Sequence, residues 1–191
     1  MIVHPIPHRT GRLPLRGLPG ISGDRLAHAL GRHLDDGHHY FRKVQAGGQP
    51  PIDAVLVGPG GTWTITHAHV AGRFRKRNGH WYRWNRSTES WIPWDATPLH
   101  QARLAGHRLE LYLERATLPA MVHATLLAEH HAEIDWEADQ APGVYVYNEL
   151  ERLAARVSRD EELTPAQIDR IVALLDPRQP LPRFAASESS G

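Results

Sequence analysis

The chain has 191 residues, which suits one domain with a core of its own. Its hydrophobic share of 41%, charged share of 23% and net charge of +1 are typical of a globular protein and do not by themselves indicate a nucleic-acid ligand. The lack of cysteine excludes disulfides, thiolate metal sites and a cysteine nucleophile. No apolar run approaches the roughly 18 residues of a membrane span, and prolines and arginines near the N-terminus do not fit a secretory signal. We therefore expect a cytoplasmic protein with no membrane partner.

The first half of the chain predicts an irregular arm followed by one helix and a series of strands. Residues 1–21 contain four prolines and no hydrophobic periodicity, so we expect them to be irregular. In chain order, the pattern then predicts a helix over 24–35, strands over 39–44, 52–58 and 62–70, and a hairpin over 73–85. Asn78-Gly79 lies at the centre of that hairpin, and this dipeptide strongly favours a two-residue turn.

The second half of the chain predicts three helices and two strands. The predicted elements are a helix over 97–116, strands over 121–127 and 143–147, and helices that begin at Asn148 and Thr164. We expect Thr97 to cap the first of these helices and Thr164 to form a capping box with Gln167. The apolar stripe of the first helix predicts its buried face, which consists of Leu99, Ala102, Ala105, Leu109, Tyr112 and Ala116. Residues 177–191 predict a disordered tail. Since helices and strands alternate, the sequence predicts an α/β (α+β) domain over 22–176, with helices packed on a mixed sheet.

The most specific pattern lies at residues 52–72. It reads IDAVLVGPGGTWTI from Ile52 and Asp53 onward and closes on Gly72. A predicted helix that begins at Gly23-Asp24 precedes it, and a Trp-bearing basic hairpin and the Pro98-Leu-His-Gln101 helix follow it. This ordered set resembles the NERD (nuclease-related) domain, and the similarity in element order covers roughly 22–176. The resemblance implies a PD-(D/E)-x-K nuclease-like fold, in which helices flank a mixed sheet.

The resemblance also implies where a nuclease site would lie. Such nucleases hold a divalent metal with carboxylates and place a lysine beside it, because phosphodiester hydrolysis develops negative charge. The family pattern has an acidic residue at the start of the first helix, an Asp on the first hairpin strand and Glu-x-Lys on the second. Matched residue by residue, these positions are Asp24, Asp53, Thr66 and Ala68. Gln101 matches the glutamine of the family's helix motif, although a polar residue in the first turn of a helix is the favoured explanation when Gln101 is considered alone.

Two of these matched positions have lost the side chain that the chemistry needs. Thr66 replaces the glutamate and Ala68 replaces the lysine, and both are too short to reach the reacting atoms. Loss of one key electrostatic group costs about two to three orders of magnitude in rate. We therefore expect a vestigial site with impaired catalysis, in which Asp53 is the one candidate metal ligand. No cofactor is expected, and Mg²⁺ or Mn²⁺ would bind only if Asp24, Asp53 and a histidine formed a rearranged site.

The histidines do not replace the lost groups in this interpretation. His67 and His69 have a spacing that can chelate a metal. Because strand residues alternate between faces, however, they should point away from the face that Thr66 shares with Asp53. We therefore do not expect them to hold a metal. The histidine pairs at 38–39 and 130–131 lie beside predicted loops and are expected to be solvated.

The hairpin over 73–85 is both basic and aromatic. Six cationic residues and no acidic residue lie between Val70 and Thr88. Arginines that contact phosphates and aromatic rings that stack on bases are typical of sequence-tolerant nucleic-acid binding. Alternatively, the tryptophans pack on the sheet and the arginines are merely solvated. The candidate nucleic-acid-binding residues are Arg73, Arg75, Lys76, Arg77, Trp81, Arg83 and Trp84. Trp91 and Trp94 are expected to close the edge of the core.

Three functions from different classes fit these observations. The first is a NERD-like domain with impaired catalysis that binds DNA or RNA through the basic aromatic hairpin. The second is a metal-dependent nuclease with a rearranged active site. The third is a protein-interaction scaffold in which the basic hairpin is incidental. Salt-dependent nucleic-acid binding separates the first function from the third, and a cleavage assay in Mg²⁺ or Mn²⁺ separates the second from both.

Overall fold

The computed structural model describes residues 1–4, 25–128, 132–135 and 143–176. In chain order the elements are β1 (Ile2–Val3), α1 (Arg25–Leu30), β2 (His39–Val44), β3 (Ile52–Gly58), β4 (Gly61–Ala68), β5 (Gly72–Arg77), β6 (His80–Asn85), β7 (Ser90–Pro93), α2 (Thr97–Arg115), β8 (Val122–Ala128), β9 (Ala132–Asp135), β10 (Tyr145–Tyr147), α3 (Leu150–Val157) and α4 (Pro165–Leu175). None of the helices in these ranges has the length and apolar content needed to cross a membrane.

The strands form two sheets that continue into one another. The larger sheet has six strands in the order β1-β2-β3-β4-β8-β10, and the smaller has four in the order β7-β6-β5-β9. In the larger sheet β2, β3 and β4 are antiparallel, whereas β4, β8 and β10 run parallel. β4 leads into β5 and β8 leads into β9, and β5 and β9 are again parallel neighbours. The smaller sheet therefore extends from the carboxyl ends of β4 and β8.

Helices cover both faces of the larger sheet, as the sequence predicts. On one face Leu109 of α2 and Ile171 of α4 pack with Val55 and Val57 of β3. The opposite face packs against α1 and α3 through a second cluster that includes Leu30, Leu56, Trp63, Ile65 and Leu153. Val55, Val57, Ile65 and Leu109 are all fully or almost fully buried. The mixed α/β architecture with flanking helices is thus confirmed.

Helix α2 lies close against β8. Gly106 allows this close approach, because a Cβ added at this position would lie only 2.9 Å from the Cβ of Ala124. The helix starts at the predicted residue, but Ala96 is its N-cap and makes no side-chain cap, so the prediction for Thr97 is wrong by one residue. Leu113, rather than the predicted Tyr112 and Ala116, is the fully buried side chain in the last turns.

Other differences from the predicted elements occur at short strands and helix ends. Ile2–Val3 pair with β2 in parallel, although the sequence predicts an irregular arm there. Strands β7 and β9 were not predicted. Glu149 is the N-cap of α3, because the Asn148 side chain instead donates to the Ala132 carbonyl oxygen at 2.6 Å. The capping box of Thr164 and Gln167 is confirmed. The rest of the predicted arm and the predicted tail over 177–191 lie outside the described residues.

The prediction that His38 and His39 are solvated is wrong. His38 is buried, and its Nδ1 lies 2.7 Å from Asp35 Oδ1, a hydrogen bond that lowers the pKa of Asp35. His39 is half-buried beside His4, with 3.1 Å between His4 Nε2 and His39 Nδ1. Burial lowers the pKa of His39. His39 is partly covered because β1 pairs with β2 and brings His4 beside it. The pair at 130–131 lies outside the described residues.

Candidate functional site

The structure brings Asp53 and Thr66 together on the β3–β4 hairpin. Val55 pairs with Thr64 and Ala54 pairs with Ile65, so Asp53 and Thr66 occupy the next position of the same antiparallel ladder. Residues that lie opposite each other in such a ladder share one face of the sheet. Val55 packs against α2, and Thr66 lies on the same side because it is two residues beyond Thr64, the partner of Val55. Ile52 belongs to the same core cluster as Val55, so the alternation of β3 is interrupted beside Asp53. Asp53 and Thr66 are the residues that the resemblance matches to the first two positions of the hairpin motif.

The two residues that the resemblance matches to the Glu-x-Lys pair are small and buried. Thr66 is 7% exposed and Ala68 is 9% exposed. Neither side chain carries a charge, and the described residues contain no group of three or more His, Asp or Glu side chains that could hold a metal ion. Asp24, the other carboxylate matched to the family pattern, lies outside the described residues. Within the described part of the chain, Asp53 is the single carboxylate on this ladder.

A lysine that sequence reasoning missed lies at Asp53. Lys43 of β2 places its Nζ 2.5 Å from Asp53 Oδ1, and both side chains are about half exposed. Arg42 pairs with Ala54 and Val44 pairs with Ile52, so Lys43 lies opposite Asp53 on the neighbouring strand. The Asp53 carboxylate therefore sits between a threonine on one side and an ammonium group on the other.

The backbone at Lys43 is unusual for a strand. Its φ of 54° lies in the left-handed region, which costs a non-glycine residue about 1–3 kcal/mol. Phe41 and Val44 belong to the same core cluster although they are three positions apart, which shows that the alternation of β2 is interrupted at this point. No sequence signal marks a left-handed lysine inside a strand, so this contact was not predictable.

The remaining residues of the predicted site do not complete a metal centre in the described part of the chain. His67 and His69 are exposed, with ring centroids 5.2 Å apart. His67 lines an open groove of about 620 Å³ between α1 and α3, on the face opposite to Thr66. Gln101 is exposed in the first turns of α2, and the described contacts include none between it and Asp53.

The smaller sheet sorts the basic aromatic residues onto two faces. Phe74 pairs with Arg83 and Lys76 pairs with Trp81, so these four side chains share one face. That face turns toward the core, since Phe74 and Trp81 are buried and the Trp81 Nε1 donates to the Val144 carbonyl oxygen at 3.2 Å. Trp81 was considered either as a ring that stacks on bases or as a ring that packs on the sheet, and its burial matches packing on the sheet.

The opposite side of this sheet, called here the outer face, carries the other residues. Its members are Arg73, Arg75, Arg77, Tyr82, Trp84 and Trp91. The Cζ of Arg75 lies 4.3 Å from the ring centroid of Trp91, and the rings of Trp84 and Trp91 are 5.3 Å apart. Trp91 was expected to close the core and instead lies half-buried on the outer face. Trp94 does pack at the core edge, against Phe74 and Trp81.

The fold and this hairpin define a class of protein: a mixed α/β domain with helices on both faces of a nuclease-like sheet. The model of the nuclease-related domain, NERD, matches residues 20–128, which is more than half of the chain. The chain therefore belongs to the NERD family. Searches among curated proteins and among solved structures found no match. The matched range contains both hairpins, helix α2 and strand β8.

Proposed function

We propose that this NERD domain is catalytically impaired and that it binds DNA or RNA through the outer face of its smaller sheet. The observation that carries the binding proposal is the sorting of Arg73, Arg75 and Arg77 onto one side of β5, together with aromatic rings from β6 and β7. Arginine contacts to phosphate supply most of sequence-independent affinity. We also propose the cytoplasm as the location of the protein, in line with its sequence.

The described residues of the β3–β4 hairpin do not fit a divalent metal. Mg²⁺ usually keeps several waters and is bound through one or two carboxylates whose oxygens are available to it. The ladder offers one carboxylate, Asp53, and the ammonium of Lys43 already lies 2.5 Å from it. Thr66 and Ala68 add no charge. Since two groups of the family pattern are missing, and each is worth about two to three orders of magnitude in rate, the ancestral hydrolysis should be lost.

A plasmid-nicking assay tests the catalytic half of the proposal. Purified protein should convert no supercoiled plasmid in Mg²⁺ or Mn²⁺ above a buffer control, while an active nuclease in the same buffer does. Cleavage that disappears in an Asp53→Ala variant would overturn this half and favour a nuclease with a rearranged site. Cleavage that persists in Asp53→Ala would also overturn it, unless a mock purification without the protein cleaves the plasmid equally.

Salt-dependent binding tests the other half. Labelled DNA and RNA strands should bind with an affinity that falls steeply with salt, and each lost phosphate contact should reduce the log–log slope by about 0.7–0.9. Arg75→Glu with Arg77→Glu should weaken binding and flatten the slope. The matched control is Arg115→Glu with Arg170→Glu, which changes the same charge at exposed positions of α2 and α4. If the first pair leaves DNA and RNA binding unchanged, the scaffold function becomes the better one.

A further inference from the structure

Three large aromatic side chains of the outer face take no part in the hydrophobic core. Tyr82, Trp84 and Trp91 are half-buried, and none of them belongs to the three core clusters of the described residues or packs against those clusters. By contrast, Trp81 and Trp94 on the other side of the same sheet are both part of the third cluster. A cluster of exposed aromatic surface that the core does not need indicates a binding site.

The rings and the guanidinium groups of the outer face are interleaved. Trp84 meets Trp91 at an interplanar angle of 65°. The Cζ of Arg75 lies 5.8 Å from the Tyr82 centroid as well as 4.3 Å from that of Trp91, and the Cζ of Arg73 lies 5.9 Å from the Trp84 centroid. Cation–π contacts of this kind hold an arginine against a ring. Because the arginines are held in place before binding, less side-chain entropy is lost when a ligand engages them.

The charge of this surface favours a polyanion. No acidic residue lies between Val70 and Thr88. Glu133 of β9 pairs with Arg73 at 3.1 Å, but both side chains are more than half exposed, so water and salt screen that pair. Arg73, Arg75 and Arg77 alternate along β5, which spaces successive cations by about 6.8 Å along the strand. Phosphates that follow the strand can contact these cations in turn.

We infer that the outer face binds single-stranded nucleic acid, with bases stacked on the partly exposed rings of Trp84 and Trp91 and with phosphates contacting the arginines of β5. The inference rests on the proposed function and specifies its ligand as single-stranded. A duplex stacks its bases on one another, so it offers an aromatic ring no base face, whereas a single strand does. Arginines alone would bind either form, and the aromatic rings therefore decide the preference.

Three labelled probes of equal length separate stacking from phosphate contact. They are a 20-nucleotide thymidine strand, a 20-nucleotide abasic strand with the same phosphates and no bases, and a 20-base-pair duplex. Fluorescence anisotropy at low salt should show tightest binding to the thymidine strand and at least about ten-fold weaker binding to the abasic strand, since each stacked base contributes a factor of about ten. The duplex should also bind more weakly than the thymidine strand.

Substitutions at Trp84 then assign the preference to the outer face. Trp84→Leu keeps apolar bulk and should lose about ten-fold in affinity for the thymidine strand, with no change for the abasic strand. Trp84→Phe keeps a ring and should bind close to the wild type. Ile92→Ala is the matched control, because Ile92 is an exposed residue of β7 that pairs with Arg83 on the opposite side of the sheet. Far-ultraviolet circular dichroism verifies that each variant is folded.

The outcomes distinguish this inference from the function on which it rests. Equal affinity for the thymidine and abasic strands, or tighter binding to the duplex, would overturn stacking and leave phosphate-driven binding in place. Equal loss in Trp84→Leu and Trp84→Phe would also overturn it, because the ring would then have no role. If none of the three probes binds at low salt, both the inference and the proposed nucleic-acid function fail.

Discussion

Restoring a glutamate at position 66 tests whether the sheet still holds the geometry of a metal site. Thr66 is 7% exposed and follows Ile65, which pairs with Ala54, so the introduced carboxylate would face Asp53 across the ladder. Two like charges about 5 Å apart at an effective dielectric constant of about 20 repel by about 3 kcal/mol. Lys43 beside Asp53 offsets part of this repulsion. Burial of the new charge adds a desolvation cost, so we expect Thr66→Glu to lower the free energy of unfolding in EDTA by at least about 2 kcal/mol.

Mg²⁺ or Mn²⁺ should reverse part of that loss, because two facing carboxylates can share a divalent ion. An ion present at about ten times its Kd stabilises the native state by about 1.4 kcal/mol, which corresponds to about 3–6 °C in Tm for a chain of this size. Thermal unfolding in EDTA and in MnCl₂ measures the shift for the variant, for the wild type and for Thr88→Glu, a control at an exposed turn. A Thr66→Glu variant that matches the wild type in EDTA and does not respond to either ion would refute this reasoning.

Adding Ala68→Lys to Thr66→Glu completes the family motif. Ala68 ends β4, and a lysine there is long enough to carry its ammonium beyond the buried face. The double variant should show metal-dependent nicking that Asp53→Ala abolishes, while each single variant stays inactive. Activity in Ala68→Lys alone would contradict the requirement for a second carboxylate.

Two further predictions concern the hairpin turn and the N-terminal strand. Gly60→Ala should lower the free energy of unfolding in urea by about 3 kcal/mol or more, because its Cβ would lie 1.8 Å from the Val157 carbonyl oxygen. Gly79→Asn is the control, because there is open space around Gly79, and it should lower the free energy of unfolding by less than about 1 kcal/mol. Because burial lowers the pKa of His39, the unfolded state binds its proton more tightly, so stability should fall as the pH drops below 6.5. His39→Gln should flatten the dependence of the urea midpoint on pH between about pH 7.5 and pH 5.5, and an unchanged pH dependence would exclude His39 as its source.

Sequence patterns predicted the long elements well, because those elements bury a regular stripe or an alternating face. The bounds of β2 and β3 match the predicted ranges, and the stripe of α2 matches through Leu109. Helix caps were less predictable, since a cap depends on where a side chain finds its partner. Asn148 donates its amide to Ala132, 16 residues away in sequence, and does not cap α3. Strands β1, β7 and β9 have two to four residues each, too few for a periodicity to be read.

Prediction of the candidate site from the sequence was limited in the same way, because part of the site depends on residues that are distant in the chain. The resemblance placed Asp53 and Thr66 opposite each other because they belong to one local hairpin. The contact with Lys43 depends on a pairing between strands and on a left-handed φ, neither of which has a local sequence signal. In the basic hairpin, the sequence did not indicate which face of the strands the core covers. Trp91 joined the outer face through β7, a strand that the sequence did not reveal.

The replacements at Thr66 and Ala68 also have a stability rationale. Both positions are more than 90% buried, and a buried charge without a partner costs several kcal/mol. A glutamate at position 66 is tolerable only while a metal or another cation compensates it. At Asp53 that compensation comes from Lys43, which belongs to the chain and needs no ion from solution. Without a bound metal, a threonine and an alanine at these buried positions stabilise the sheet better than a glutamate and a lysine would.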